Sequence, residues 1–142
     1  MIDNTQAKLE GGLVSMLKPD EEPVSSKAKG SLQVCVTVEP GACGFTCTIR
    51  AKKTDRRTAA VTISGSQCRQ IQKLAGCVTT ITMRELFAPL TRNPVYTSAE
   101  QAGCHPSCAV PCAILKAVEV AMGMAVPRDV QFQVTCKHKG TG

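Results

Sequence analysis

The chain has 142 residues, 43% of them hydrophobic and only 3% aromatic, and its 17 basic and 11 acidic side chains leave a net charge of +6. That is one domain's length with ordinary apolar content, which argues against wholesale disorder and makes the core aliphatic. No run approaches the ~18–20 apolar residues of a membrane span, and the opening MIDNTQAKLEGG lacks the basic start and apolar stretch of a secretory leader, so the expected compartment is the cytoplasm.

Residues 1–30 are polar and slightly acidic, with Pro19, Pro23 and a Ser-Ser-Lys-Ala-Lys-Gly run. They read as a flexible arm ahead of a single domain at 31–137, with a polar tail at 138–142. From Ser31 the period is two. Leu32, Val34, Val36 and Val38 alternate with polar residues, and Glu39-Pro40-Gly41 closes the strand with a turn. A second strand is expected at Phe45–Ala51, a charged hairpin at Lys52–Arg57, and a third strand through Ala59, Val61 and Ile63.

The period then becomes helical. Ser64 or Ser66 can cap a helix over Gln67–Ala75 that Gly76 stops. Thr82-x-x-Glu85 is a capping-box pattern for a short helix, with Ile81 placed to staple Leu86. Asn93-Pro94 reads as an N-cap and first helical residue, closed by Gly103. The strongest helix lies at Ala109–Met122, provided Pro111 sits in its first turn. Val130, Phe132, Val134 and Cys136 alternate in a last strand. The order β-β-β-α-α-β, with helices segregated between strands, predicts an α+β two-layer sandwich: an antiparallel sheet of about four strands with helices on one face.

Nine cysteines are the unusual feature. An odd number cannot pair completely within one chain, and a reducing compartment keeps thiols free, so a metal, iron–sulfur or thiol site is favoured over disulfides. Free cysteine is also a common small core residue, and Cys35, Cys47, Cys77, Cys112 and Cys136 are read that way or as surface thiols. Cys68 and Cys108 stand where helices start, and the partial positive charge there makes a better ligand and nucleophile. Packed side by side, those two helix starts can face the Cys43 turn, gathering Cys43, Cys68 and Cys108 with His105 or Cys104. No Cys-x-x-Cys occurs, and Cys104-x3-Cys108-x3-Cys112 fits neither ferredoxin nor zinc-ribbon spacing, so any centre is assembled from distant segments.

The stretches Gly41-Ala-Cys-Gly-Phe45, Ser64-Gly-Ser-Gln-Cys68 and His105-Pro-Ser-Cys-Ala-Val-Pro running through the apolar helix to Ala121 resemble a family of small prokaryotic proteins of unknown function, over about residues 33–135. The resemblance carries over Cys43, Cys68, His105 and Cys108 as the functional set, with Ala109 departing from the family's Pro. More distantly, the layout is similar to the TSCPD domain found at the ends of some ribonucleotide reductases, of whose Ser-Cys-Pro only Ser107-Cys108 is present. That likeness implies a cysteine-rich, metal-binding α+β domain and no particular reaction.

The leading expectation is therefore a metal or iron–sulfur site on Cys43, Cys68, Cys108 and either His105 or Cys104, holding zinc or a cluster. The alternatives are a thiol redox or sulfur-carrier protein using a low-pKa Cys68 or Cys108, and an interaction module using Arg50, Lys52, Lys53, Arg56 and Arg57 against an acidic protein. Nucleic acid is the weaker partner because the hairpin lacks interleaved aromatics for stacking. No Walker loop, dinucleotide fingerprint, Ser/His/Asp pattern or paired carboxylates point to hydrolysis or nucleotide chemistry.

Overall fold

Alternation of apolar and polar residues builds the first layer. In the computed structural model, which describes residues 32–138, the strands are β1 (Gln33–Val38), β2 (Cys47–Lys53), β3 (Thr58–Ser64) and β4 (Thr80–Thr82), in the order β1-β2-β3-β4 and antiparallel throughout. The expected arm at 1–30 and residues 139–142 of the expected tail lie outside the described residues. The register pairs Val36 with Ile49 and Ile49 with Ile63, so one face carries a continuous aliphatic row. Ile49, Ala51, Ala59 and Val61 on that face are buried. The opposite face is open and polar, carrying Gln33, Cys35, Thr37, Arg50, Lys52 and Thr62.

Helices cover the apolar face. They are α1 (Arg69–Cys77), α2 (Met83–Leu86), α3 (Pro94–Gln101) and α4 (Val110–Ala121), with a short 3-10 turn at Leu90–Arg92. α4 lies across β1 and β2 and reaches β3, while α1 packs on β3. Ile114, Ala117 and Val118 of α4 are fully buried, as the apolar stripe of its sequence requires. The architecture is the α+β arrangement expected, with helices on one face.

The helix boundaries follow local chemistry. Thr82 and Glu85 form the full capping box, with the Glu85 backbone N–H donating to Thr82 Oγ1 and the Thr82 N–H to Glu85 Oε2. Asn93 is the most constrained polar residue. Its Oδ1 accepts from the Val95 N–H at 3.0 Å, its Nδ2 donates to the Glu85 carbonyl at 3.1 Å, and only 3% of it is exposed. Pro94 and Pro111 both fall in a first turn, where the missing N–H breaks no helical bond.

Three expectations are corrected. α1 starts two residues later than the Ser64/Ser66 caps imply: Cys68 is its N-cap, and Gly76 lies inside it. The fourth strand is Thr80–Thr82, directly ahead of the capping box. No strand forms at Val130–Cys136 within the single chain: the segment is exposed throughout and pairs with none of the four strands. Among the described residues no helix is long and apolar enough to cross a membrane.

Candidate thiol site

β1 ends at Val38, β2 begins at Cys47 opposite it, and β3 ends at Ser64 opposite Thr48. Two chain reversals, β1 to β2 and β3 to α1, therefore meet at one end of the sheet. There Gly65, at φ +79, adopts a left-handed conformation that L side chains resist and turns β3 into the α1 cap. Cys68 follows at once: its backbone N–H donates to Ser66 Oγ at 3.2 Å, and its thiol donates to Gln70 Oε1 at 3.1 Å.

α3 delivers the next thiol. Gly103, at φ +78, terminates that helix, and the Cys104 N–H donates to the Ala99 carbonyl at 2.9 Å. A Cβ placed on Gly103 would lie 3.8 Å from Cγ of Gln70, so this loop sits against the first turn of α1. The Cys108 N–H then donates to the His105 carbonyl at 2.9 Å, a tight turn that leads into α4. α4 packs on β1 and β2, and Cys108, just ahead of it, lies near enough to influence Cys47 at the start of β2, which is only 3% exposed.

Four thiols from separate segments thus interact. Burial, then the neighbouring Cys108 and Cys68, push the Cys47 thiol from 9.0 up to about 11. Burial, then Cys108 and Cys68 again, raise Cys104 above its ordinary value. Cys68 and Cys108 thus lie close enough to both Cys47 and Cys104 for negative charge on either to oppose ionisation of the latter two. Among the described residues, no three His, Cys, Asp or Glu side chains already stand as a metal-holding group. All nine cysteines are free.

The expected set is therefore placed as follows. Cys68, Cys104 and Cys108 are half-buried and share this site. Cys43 and His105 are exposed. Cys43 lies in the Gly41–Gly44 turn, where the Gly44 N–H donates to the Gly41 carbonyl. Cys47 completes the group in its place. Its alternation with Ile49 marks it correctly as a core residue, but being the first residue of β2 also puts it next to the helix starts. The signal that could have found it is its place at a strand end rather than mid-strand. Cys112 lies elsewhere, near Tyr96, whose hydroxyl is raised by burial and then by that thiol.

The basic hairpin is an exposed tip. Asp55 Oδ1 accepts from the Arg57 N–H at 2.7 Å and shapes the turn, while Arg50 donates across the open face to Ser64 Oγ at 3.1 Å. A pocket of about 170 Å³ beside Gly65, Ile71 and Gln72 is lined by none of the thiols.

The Cys47 shift makes stability depend on pH with a definite sign. Between pH 9 and about 11 the unfolded chain loses this proton while the folded chain keeps it. Metal-free protein should therefore lose stability as pH rises through that window, and below it Cys47 should contribute no pH dependence. Urea melts of wild type and Cys47→Ala at the two ends of the window check this. Equal losses in both proteins would rule it out.

Comparison with known proteins places this architecture in a recognised sequence class. The chain belongs to a family of unknown function (DUF6951), whose sequence profile matches residues 34–134 and so covers the sheet, all four helices and the four thiols. No curated protein and no solved structure matches the chain significantly. The TSCPD likeness stays at the level of residue order.

Proposed function

We propose that this domain binds a soft metal centre, zinc or an iron–sulfur cluster, through Cys47, Cys68, Cys104 and Cys108. The observation that carries the reading is that Cys68, at the α1 cap, and Cys108, ahead of α4, both lie near Cys47 at the start of β2 and near Cys104 in the α3–α4 loop. Cys47, Cys68, Cys104 and Cys108 would hold the metal, whose positive charge would favour the thiolate form of each ligating sulfur and offset the repulsion between them. Thiolate-only coordination suits zinc and iron–sulfur clusters over magnesium, calcium or manganese. Two helix starts supply partial positive charge toward the same sulfurs. On loading, the Cys68 thiol would leave Gln70 Oε1 and turn toward the other three.

Thiol redox chemistry is the weaker reading. It would use Cys68 or Cys108 as the nucleophile, and the neighbouring Cys47 and Cys104 that would resolve it are shifted away from the thiolate form. Nine free thiols suit a reducing compartment such as the cytoplasm.

The test is metal and acid-labile sulfide analysis, with an absorption spectrum, on protein purified without oxygen. Stoichiometric zinc, or iron with matching sulfide and a broad visible band, is the expected result. Protein that arrives metal-free, takes up neither zinc nor reconstituted iron and sulfide, and melts identically with and without chelator would sink the proposal.

A further inference from the structure

Beyond the thiol site, the chain past α4 carries an unmatched pattern. Every residue from Gly123 to His138 is exposed, including Val130 at 55%, Phe132 at 80% and Val134 at 94%. These alternate with Gln131, Gln133 and Thr135, the period of a strand that buries one face and wets the other. The family match runs to residue 134, so this pattern belongs to the domain rather than to an appendage.

The sheet offers one edge of the right length. β1 is six residues long and, among the described residues, hydrogen-bonded only to β2, so its other side presents a row of backbone donors and acceptors. Its inward residues Val34 and Val36 are only half-buried, whereas Ile49 and Ala51, opposite them on β2, are fully buried. The core is thus thin on that side. β4, the other edge, has three residues, and the N–H of Thr82 is already taken by Glu85.

We propose that Val130–Cys136 of one copy pairs as a fifth strand with β1 of a second copy, and that the second copy returns the same strand. Val130, Phe132, Val134 and Cys136 then extend the apolar face beside Val34 and Val36. Gln131, Gln133 and Thr135 extend the polar open face beside Gln33, Cys35 and Thr37. A second copy is the occupant because, in the single chain, residues 130–136 stay exposed and unpaired with their own β1, and the reciprocal exchange uses both β1 edges and both segments and so closes as a two-fold pair.

The experiment is light scattering coupled to size exclusion on the full chain in reductant, so that exposed thiols cannot cross-link copies, together with backbone hydrogen exchange. The wild type should show twice the monomer mass, with slowed exchange in both β1 and residues 130–136. Phe132→Asp, combined with Val134→Asp, should halve the mass and release both segments. Because these side chains are exposed in the single chain, the variant should keep its helical circular dichroism signal and a cooperative melt. Gln133→Asp, on the wet face, should remain dimeric. A monomeric wild type overturns the proposal: protected 130–136 amides would mean pairing with its own β1, and unprotected ones would mean no pairing. A dimer indifferent to Phe132→Asp with Val134→Asp overturns it too, by placing the interface elsewhere.

Discussion

Replacing Cys108 or Cys47 by Ser should abolish the proposed metal binding, while Cys43→Ser should leave it intact. The first two lie in the four-thiol group, and Cys43 sits in an exposed turn. Loss of a directly ligating thiolate should exceed the ~10–100-fold weakening that follows loss of an outer hydrogen-bond partner. Metal per chain after dialysis, measured for the three variants and wild type, gives the answer. Cys47→Ser is the sharper probe, because a hydroxyl is a poor replacement for a thiolate at a soft metal yet similar in size. Its apo form should keep a cooperative melt, which separates lost coordination from lost folding. Full metal retention by Cys47→Ser would remove that residue from the site. Metal loss by Cys43→Ser would restore the Gly41–Gly44 turn as a ligand-bearing loop.

Ile114→Ala should destabilise the domain by about 3 kcal/mol, with a drop in Tm on the order of 10–15 °C. Ile114 is fully buried in the middle of α4, the helix that spans β1 and β2. The cost combines lost transfer of the side chain from water with the cavity left against a sheet face that cannot collapse around it. Against a total of about 5–15 kcal/mol for an ordinary domain, this is a large share. Leu90→Ala is the control, since Leu90 is 69% exposed and its loss should fall within about 0.5 kcal/mol of zero. Chemical denaturation of both variants checks the pair. A loss below about 1 kcal/mol at Ile114 would mean that α4 does not pack as described.

The parts of the fold legible in the sequence are those where one physical signal acts alone. β1, β2 and β3 alternate over six or seven residues, long enough for period two to stand out. Thr82 with Glu85 and Asn93 with Pro94 announce helix starts because capping chemistry is local. β4 is a Thr-Ile-Thr triplet, too short to display any period, and its strand character comes from pairing with β3. Residues 130–136 show the converse: alternation states what a segment can do, while the partner edge decides whether it does so. At the thiol cluster, helix-start chemistry singles out Cys68 and Cys108 from sequence alone, because capping is local. The nearness of Cys47 depends on how β2 packs against the helices, which no local signal carries. Cys43 and His105 lie in exposed turns, whose direction sequence constrains poorly.

The wide spacing of the four thiols along the chain bears on the order of events in folding. Cys47, Cys68, Cys104 and Cys108 become neighbours only after β2 has paired, α1 has turned back from β3 and α4 has crossed the sheet. Contacts between such distant segments form late, since loop closure must come first. A centre held by all four would therefore be absent from the rate-limiting step of folding and present in the finished domain. It would slow unfolding rather than speed folding, so its stabilisation would appear as persistence of the native state over time.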